Sequence, residues 1–115
     1  EVRPIGRVTD GQLAWCYRQA TVTCVPSREE GWGLPVTESL GLGTPVVAST
    51  HPAVVEAGGG AATHLPTDDR AAWVDVLTAV TAGFPAVRPP ARDVGRTWET
   101  VADEVAGHYR RLVGG

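Results

Sequence analysis

Apolar residues recur at helical spacing in three stretches of the chain. Three sets of residues have the i, i+3, i+4, i+7 spacing that places side chains on one face of a helix. The first set is Leu13, Cys16, Tyr17 and Ala20, and the second is Trp73, Val76, Leu77 and Val80. The third set is Trp98, Val101, Ala102, Val105, Tyr109 and Leu112. Short polar residues at positions 9–10 and 67–68 can cap the first two helices, because they accept from the open N–H groups of a first turn. The pattern predicts three amphipathic helices, with Trp73 in the core.

Short apolar runs lie between these helices. Residues 22–25 form a β-prone run that Pro26 stops, and residues 45–49 form an almost wholly apolar run. A continuous apolar run is typical of a parallel strand that is covered on both faces. Weaker patterns predict further strands at residues 2–5 and 61–65, and short helices at residues 35–42 and 52–57.

Strands that alternate with helices at short intervals predict right-handed βαβ units. The expected fold class is therefore α/β, a three-layer Rossmann-like parallel sheet with helices on both faces. The 115 residues suffice for one domain, in which residues 84–115 are expected to form a connector and a closing helix. Ligands of such folds sit beyond the carboxyl ends of the strands, so the loop after residue 25 is the predicted site.

Composition narrows the possible partners. The net charge of −3 argues against a nucleic-acid surface, and no apolar run approaches the roughly 20 residues of a membrane span. The first residues do not resemble a signal peptide, and the chain starts without Met, so we expect a cytoplasmic piece of a longer protein. Cys16 and Cys24 are expected to be small buried hydrophobes rather than a disulfide or metal ligands. The three histidines are scattered, and no metal is expected.

The predicted loop at residues 27–34 carries the candidate chemistry. Gly31 and Gly33 let the backbone approach a ligand closely, and a helix is expected to begin at about Pro35. The open N–H groups and the positive dipole end of that helix form a potential anion site. Glu30 lies in the loop, and Glu38 lies about one turn into the helix.

Two carboxylates beside a phosphate site are explained best if they accept hydrogen bonds from hydroxyl groups. A carboxylate can bind a vicinal diol, and a sugar nucleotide offers hydroxyls on both sides of its diphosphate. The residues alone leave a second interpretation open, in which Glu29, Glu30 and Glu38 are solvated surface charges.

Residues 27–35, the Glu30–Glu38 pair eight positions apart, and residues 43–49 are similar to the EX7E region of retaining GT-B glycosyltransferases, and resemble glycosyltransferase family 4 most closely. Residues 10–20, 56–62 and 98–112 resemble further segments of that family. Its closing helix crosses back to the other domain, so the resemblance implies core or inter-domain contacts for Trp98 and Tyr109. Trp32 stands where Phe is more usual, and Gly60 stands where an acidic residue is common.

The resemblance implies that the chain is a nucleotide-sugar-binding fragment of the C-terminal GT-B domain, from an enzyme that transfers a sugar from a nucleoside-diphosphate sugar to an acceptor hydroxyl. Glu38 matches the glutamate that binds the nucleotide ribose. Glu30 matches the first glutamate of the motif, the candidate catalytic residue, which lies near the donor sugar and binds its hydroxyls or stabilises the transition state. The loop that contacts the donor sugar and diphosphate is matched by Gly31, Trp32, Gly33 and Leu34.

The resemblance also implies that no cofactor or metal is needed and that parts of the site lie elsewhere. The basic residues that neutralise the diphosphate lie upstream, and an N-terminal acceptor-binding domain of the same enzyme is the expected partner. The isolated chain is accordingly expected to be inactive. Two alternatives stay open, a nucleotide-sugar 2-epimerase of GT-B architecture and a non-catalytic nucleotide-sugar-binding module. The sequence also leaves open whether His51 reaches the cleft and whether Arg28 pairs with a carboxylate or a phosphate.

Overall fold

The computed structural model of the chain describes residues 2–83 and 97–114. Its elements, in chain order, are α1 (Asp10–Gln19), β1 (Thr23–Val25), α2 (Leu34–Gly41), β2 (Val46–Ser49), α3 (Pro52–Gly58), a 3-10 turn (Gly59–Ala61), β3 (Thr63–Leu65), α4 (Arg70–Thr81) and α5 (Trp98–Val113). The connector predicted over residues 84–92 lies outside the described residues.

The three strands form a parallel sheet in the order β1-β2-β3. Thr23 pairs with Val46, and Val47 pairs with Thr63, so β2 is the central strand. All four residues of β2 are buried, as a continuous apolar run predicts for a covered parallel strand. The predicted α/β class, with a parallel sheet flanked by helices, is confirmed.

The core lies where α2 and α3 pack against the sheet. Its buried cluster consists of Val25, Val36, Leu40, Val46, Ala48 and Val54. Val36, Ala48 and Val54 are fully inaccessible to solvent, and burial of one valine side chain contributes roughly 1.5–3 kcal/mol to folding. The core therefore fixes α2 on the sheet, and with it the start of the helix that follows the candidate loop.

Helix α1 begins as the sequence predicts. The Thr9 side chain accepts from the Gln12 N–H at 3.3 Å, and Gln12 Oε1 accepts from the Thr9 N–H at 2.9 Å. This reciprocal capping box satisfies two backbone donors that the first turn leaves open.

Helix α4 begins later than predicted. Asp69, rather than Thr67 or Asp68, is its N-cap, and its carboxylate accepts from the Ala72 N–H at 3.0 Å. Trp73 is half-buried rather than fully enclosed, and its indole N–H donates to the Pro66 carbonyl at 2.8 Å.

Two other expectations are wrong. Residues 2–5 form no strand, and Val2 and Ile5 are 94% and 62% exposed. Cys24 is exposed rather than buried, because successive side chains of a strand point to opposite faces and Val25 takes the side that faces the core.

Helix α5 forms over the predicted residues, capped by Thr97, but none of its residues is buried. Trp98 and Tyr109 are 87% and 66% exposed. Neither aromatic side chain therefore belongs to the core of the described residues.

Candidate functional site

Gly33 marks the point where the candidate loop becomes helix α2. It adopts φ +80°, a left-handed conformation that favours glycine. A Cβ atom here would lie 3.0 Å from Ala57 Cβ and 3.4 Å from the Ala53 carbonyl oxygen. Two properties therefore favour glycine at position 33, namely its backbone conformation and its close packing against α3.

The start of α2 carries no side-chain cap and no acidic residue in its first turn. Pro35 occupies the first turn, where its missing N–H costs nothing. The Gly33 carbonyl accepts from Val36 N–H at 2.9 Å and from Thr37 N–H at 3.3 Å. Because Pro35 has no N–H and the Val36 N–H is already bonded, the Leu34 N–H is the donor of this first turn that no described residue accepts.

The residues on either side of the buried Gly33, where the loop joins α2, face solvent. Trp32 and Leu34 are each 53% exposed, and Gly31 is exposed as well. Unlike Gly33, Gly31 has no positive φ, and a Cβ atom added to it would meet nothing within 4 Å. The conformation and packing of the chain therefore do not explain why position 31 is glycine.

Glu30 is half-buried in the loop and has a partner there. Ser27 Oγ donates to Glu30 Oε1 at 3.3 Å. This hydrogen bond leaves the second carboxylate oxygen of Glu30 available to a ligand.

Glu38 lies on the exposed side of α2 and is joined to α1. The Tyr17 hydroxyl donates to Glu38 Oε2 at 3.1 Å. Partial burial of the phenol, followed by its hydrogen bond to Glu38 and the negative charge of that carboxylate, raises the pKa of Tyr17 from 10.0 to about 12. The phenol is thus a stable hydrogen-bond donor, and the carboxylate is its acceptor.

The Tyr17–Glu38 pair lies in an open depression between α1 and α2. The depression has a volume of about 350 Å³, and most of its surface is apolar. Its lining residues are Asp10, Leu13, Ala14 and Tyr17 on the α1 side, and Thr37, Glu38, Gly41 and Leu42 on the α2 side. A group with an apolar face and neighbouring hydroxyls suits this combination of an apolar wall and carboxylates.

A network of buried and half-buried hydrogen bonds holds the backbone of Tyr17. Thr44 Oγ1 donates to the Tyr17 carbonyl at 2.6 Å, and the Thr44 carbonyl accepts from Ser39 Oγ at 3.2 Å. Ser39 Oγ also lies 2.8 Å from Thr23 Oγ1. The network links the C-terminal part of α1 to β1, to α2 and to the turn before β2.

The helical spacing predicts Tyr17 on an apolar helix face and does not assign it to the site. The available signal is the hydroxyl group, the strongest hydrogen-bonding group among the four residues that share this face by helical spacing. A buried or half-buried phenol needs a partner, and its partner lies 21 residues away on another helix.

The histidines beside the sheet have structural partners. His51 caps α3, since its Nδ1 accepts from the Ala53 N–H at 3.3 Å. His64 lies with Nδ1 3.0 Å from the Ser49 carbonyl and Nε2 3.3 Å from the Gly59 carbonyl.

Within the described part of the chain, no three potential ligand side chains come together to hold a metal ion. Of the helices in residues 2–83 and 97–114, none has the length and hydropathy of a membrane-spanning segment.

The sequence profile of the family "Glycosyl transferases group 1" matches residues 1–82. The chain is 34% identical to an MMP alpha-(1->4)-mannosyltransferase of Mycolicibacterium hassiacum, over 92% of the chain and 28% of that protein. It is 34% identical to a D-inositol 3-phosphate glycosyltransferase of Mycobacteroides abscessus, over 91% of the chain and 25% of that protein. Identity to a phosphatidyl-myo-inositol mannosyltransferase of Mycobacterium leprae is 35%, over 88% of the chain and 32% of that protein.

No solved structure matches the chain. The chain spans between a quarter and a third of the length of these three relatives. The family match covers the loop, α1, α2 and the residues of the depression between the two helices. The chain belongs to the group 1 glycosyl transferases.

Proposed function

We propose that this chain is the donor-binding part of a retaining glycosyltransferase, which transfers a sugar from a nucleoside-diphosphate sugar to an acceptor hydroxyl. The observation that carries the proposal is the uncapped start of α2 beside a depression that holds the Glu38 carboxylate. One end of this surface offers backbone donors, and the other offers an anionic acceptor. A diphosphate flanked by two sugars has the complementary arrangement.

The charges along this surface favour one orientation of the bound donor. The first turn of α2 lacks acidic residues, so the helix dipole and the amide groups can stabilise the diphosphate. Asp10 and Glu38 lie at the depression, where negative charges would repel phosphates but accept hydrogen bonds from hydroxyls. In the proposed complex, Glu38 therefore binds the ribose, and the apolar side of the depression receives the nucleoside.

Glu30, Gly31, Trp32, Gly33 and Leu34 are proposed to surround the donor sugar and diphosphate. The loop rests on α3 through Gly33, which fixes its backbone before a ligand arrives. Preorganised donors aimed at a leaving diphosphate lower the barrier to its departure. In this proposal, Glu30 binds sugar hydroxyls or stabilises positive charge at the anomeric carbon, and no metal is required.

Calorimetric titration of the chain with UDP-, GDP- and ADP-sugars tests donor binding. We expect one of these donors to bind, and Glu38→Ala to weaken that donor at least about tenfold, since hydrogen bonds to a charged group contribute about 1.5–3 kcal/mol. Glu56→Ala is the matched control, because Glu56 is an exposed glutamate on α3. Absence of binding by the wild-type chain, or equal effects of the two variants, would contradict the proposal.

Stereochemistry is tested on a longer protein that also contains the acceptor-binding domain. A product whose anomeric carbon keeps the donor configuration, as read from its NMR coupling constant, supports the retaining mechanism. An inverted product contradicts it. Release of a free epimerised sugar without transfer would identify a nucleotide-sugar 2-epimerase, and donor binding without either reaction would identify a non-catalytic binding module.

A further inference from the structure

Tyr17 and Glu38 come from different helices and meet at the depression. Their side chains are joined by a 3.1 Å hydrogen bond, and both line the same open volume. Glu38 is otherwise an exposed residue on the outer side of α2. A glutamate in that position has three rotatable side-chain bonds and loses conformational entropy when a ligand fixes it.

Tyr17 is itself held at its backbone. Thr44 is buried, and its hydroxyl donates to the Tyr17 carbonyl at 2.6 Å. The Thr44 N–H donates to the Ser39 carbonyl at 3.0 Å, and Ser39 is fully buried in α2. The C-terminal part of α1 is therefore fastened to the end of the helix that carries Glu38, and the phenol is aimed at the carboxylate from a fixed base.

The hydrogen bond leaves Glu38 able to bind a diol. An ionised carboxylate is an acceptor with two oxygens and about four lone-pair positions. Tyr17 occupies one position on Oε2, so Oε1 and the remaining lone pair of Oε2 are available to two hydroxyls. The neutral phenol also adds no negative charge to the site.

From this geometry we infer that Tyr17 is a positioning residue, which holds the Glu38 carboxylate in the orientation that binds the two hydroxyls of a nucleotide ribose. The inference rests on the proposed ribose-binding role of Glu38. It adds that the affinity for the diol depends on a hydroxyl group that belongs to α1, not to the loop or to α2. Tyr17 does not contact the reacting atoms in this account.

The test compares ribose nucleotides with nucleotides that lack the diol. UDP, GDP and ADP are each titrated into the wild-type chain alongside their 2′,3′-dideoxy counterparts, and the nucleotide that binds is then used for Tyr17→Phe. We expect the ribose nucleotide to lose about threefold to tenfold in affinity in Tyr17→Phe, and the dideoxy nucleotide to bind both proteins equally. Tyr109→Phe removes an exposed phenol hydroxyl from α5 and should change neither affinity.

Each result separates the positioning role from the function on which it rests. A wild-type chain that does not prefer the ribose nucleotide contradicts the ribose site itself, and the inference with it. A wild-type chain that prefers the ribose, together with a Tyr17→Phe variant that prefers it equally, overturns the inference alone. Equal loss of affinity for both nucleotides in Tyr17→Phe also overturns it, because the hydroxyl would then act on the fold and not on the diol.

Discussion

A Cβ atom at Gly33 would lie 3.0 Å from Ala57 Cβ, so the loop before α2 rests directly on α3. Contacts this short leave no room for a methyl group unless one element moves. The same residue has φ +80°, which a residue with a side chain adopts only at a cost. The position of the candidate anion site is thus set by packing between the loop and α3.

Gly33→Ala should destabilise the chain by about 1–3 kcal/mol, because it combines an unfavourable backbone conformation with a steric conflict. Urea unfolding measures the change. Gly31→Ala is the matched control, since position 31 has neither a positive φ nor a neighbour within 4 Å. Its free energy of unfolding should be unchanged or raised by up to about 1 kcal/mol, and equal losses in the two variants would contradict this account of Gly33.

Gly31→Ala should instead weaken binding of a nucleotide sugar. The chain itself leaves space around position 31, so a methyl group there would conflict with a ligand and not with the fold. We expect at least about a tenfold loss of donor affinity in a calorimetric titration. Gly11→Ala changes an equally unobstructed glycine on α1 and should leave the affinity at the wild-type value. Unchanged affinity in Gly31→Ala would remove this glycine from the donor site.

The local elements were predictable where local chemistry decides them. The capping box of Thr9 and Gln12 joins residues three positions apart, and the apolar run of β2 carries its own signal of burial. Gly43 adopts φ +77° after α2, as a glycine at a helix end predicts. In each case, the partners that determine the conformation are neighbours in the sequence.

Other features of the fold and of the candidate site depend on contacts between residues that are far apart in the sequence, and a sequence pattern does not contain these contacts. Val2 and Ile5 have strand-forming side chains, but residues 2–5 have no strand partner among the described residues, and a strand needs a partner to satisfy its backbone. The Tyr17–Glu38 hydrogen bond joins two helices whose relative position follows from the packing of the core. The Glu30–Glu38 spacing carries the family resemblance that predicts Glu38 as a site residue. The same spacing contains no information on the residue that holds the Glu38 carboxylate in place.

Thr44→Val should cost about 1–3 kcal/mol of stability. The substitution keeps the shape of the side chain but removes the donor of the 2.6 Å hydrogen bond to the Tyr17 carbonyl, in a residue that is 3% exposed. Thr81→Val is the control, since its hydroxyl donates within α4 from an exposed position, and it should change stability by less than about 0.5 kcal/mol. Similar unfolding midpoints in urea for both variants would contradict an anchoring role for Thr44.

The stability that the Tyr17 hydroxyl contributes should fall at alkaline pH. Its pKa is raised from 10.0 to about 12 in the folded chain, so the unfolded chain releases this proton first as the pH rises. The contribution is fully present below pH 10, the ordinary pKa of the group, and is lost as the pH approaches about 12. Urea unfolding of wild type and Tyr17→Phe at pH 9 and at pH 11 measures it. The difference in free energy of unfolding between the two proteins should shrink at the higher pH, and a constant or growing difference would contradict the raised pKa.

The proposed donor site is tested most directly by a two-dimensional NMR titration of the ¹⁵N-labelled chain with UDP, GDP and ADP. If the account is correct, one nucleotide causes saturable shifts of the backbone amides at residues 31–34, at the start of α2, and along the two helices that line the depression. The chemical shifts of the α4 and α5 amides should stay unchanged, because those helices do not line the depression. Saturable shifts that map away from the loop and the depression, or the absence of saturable shifts with all three nucleotides, would contradict the assignment of this surface to the sugar-nucleotide donor.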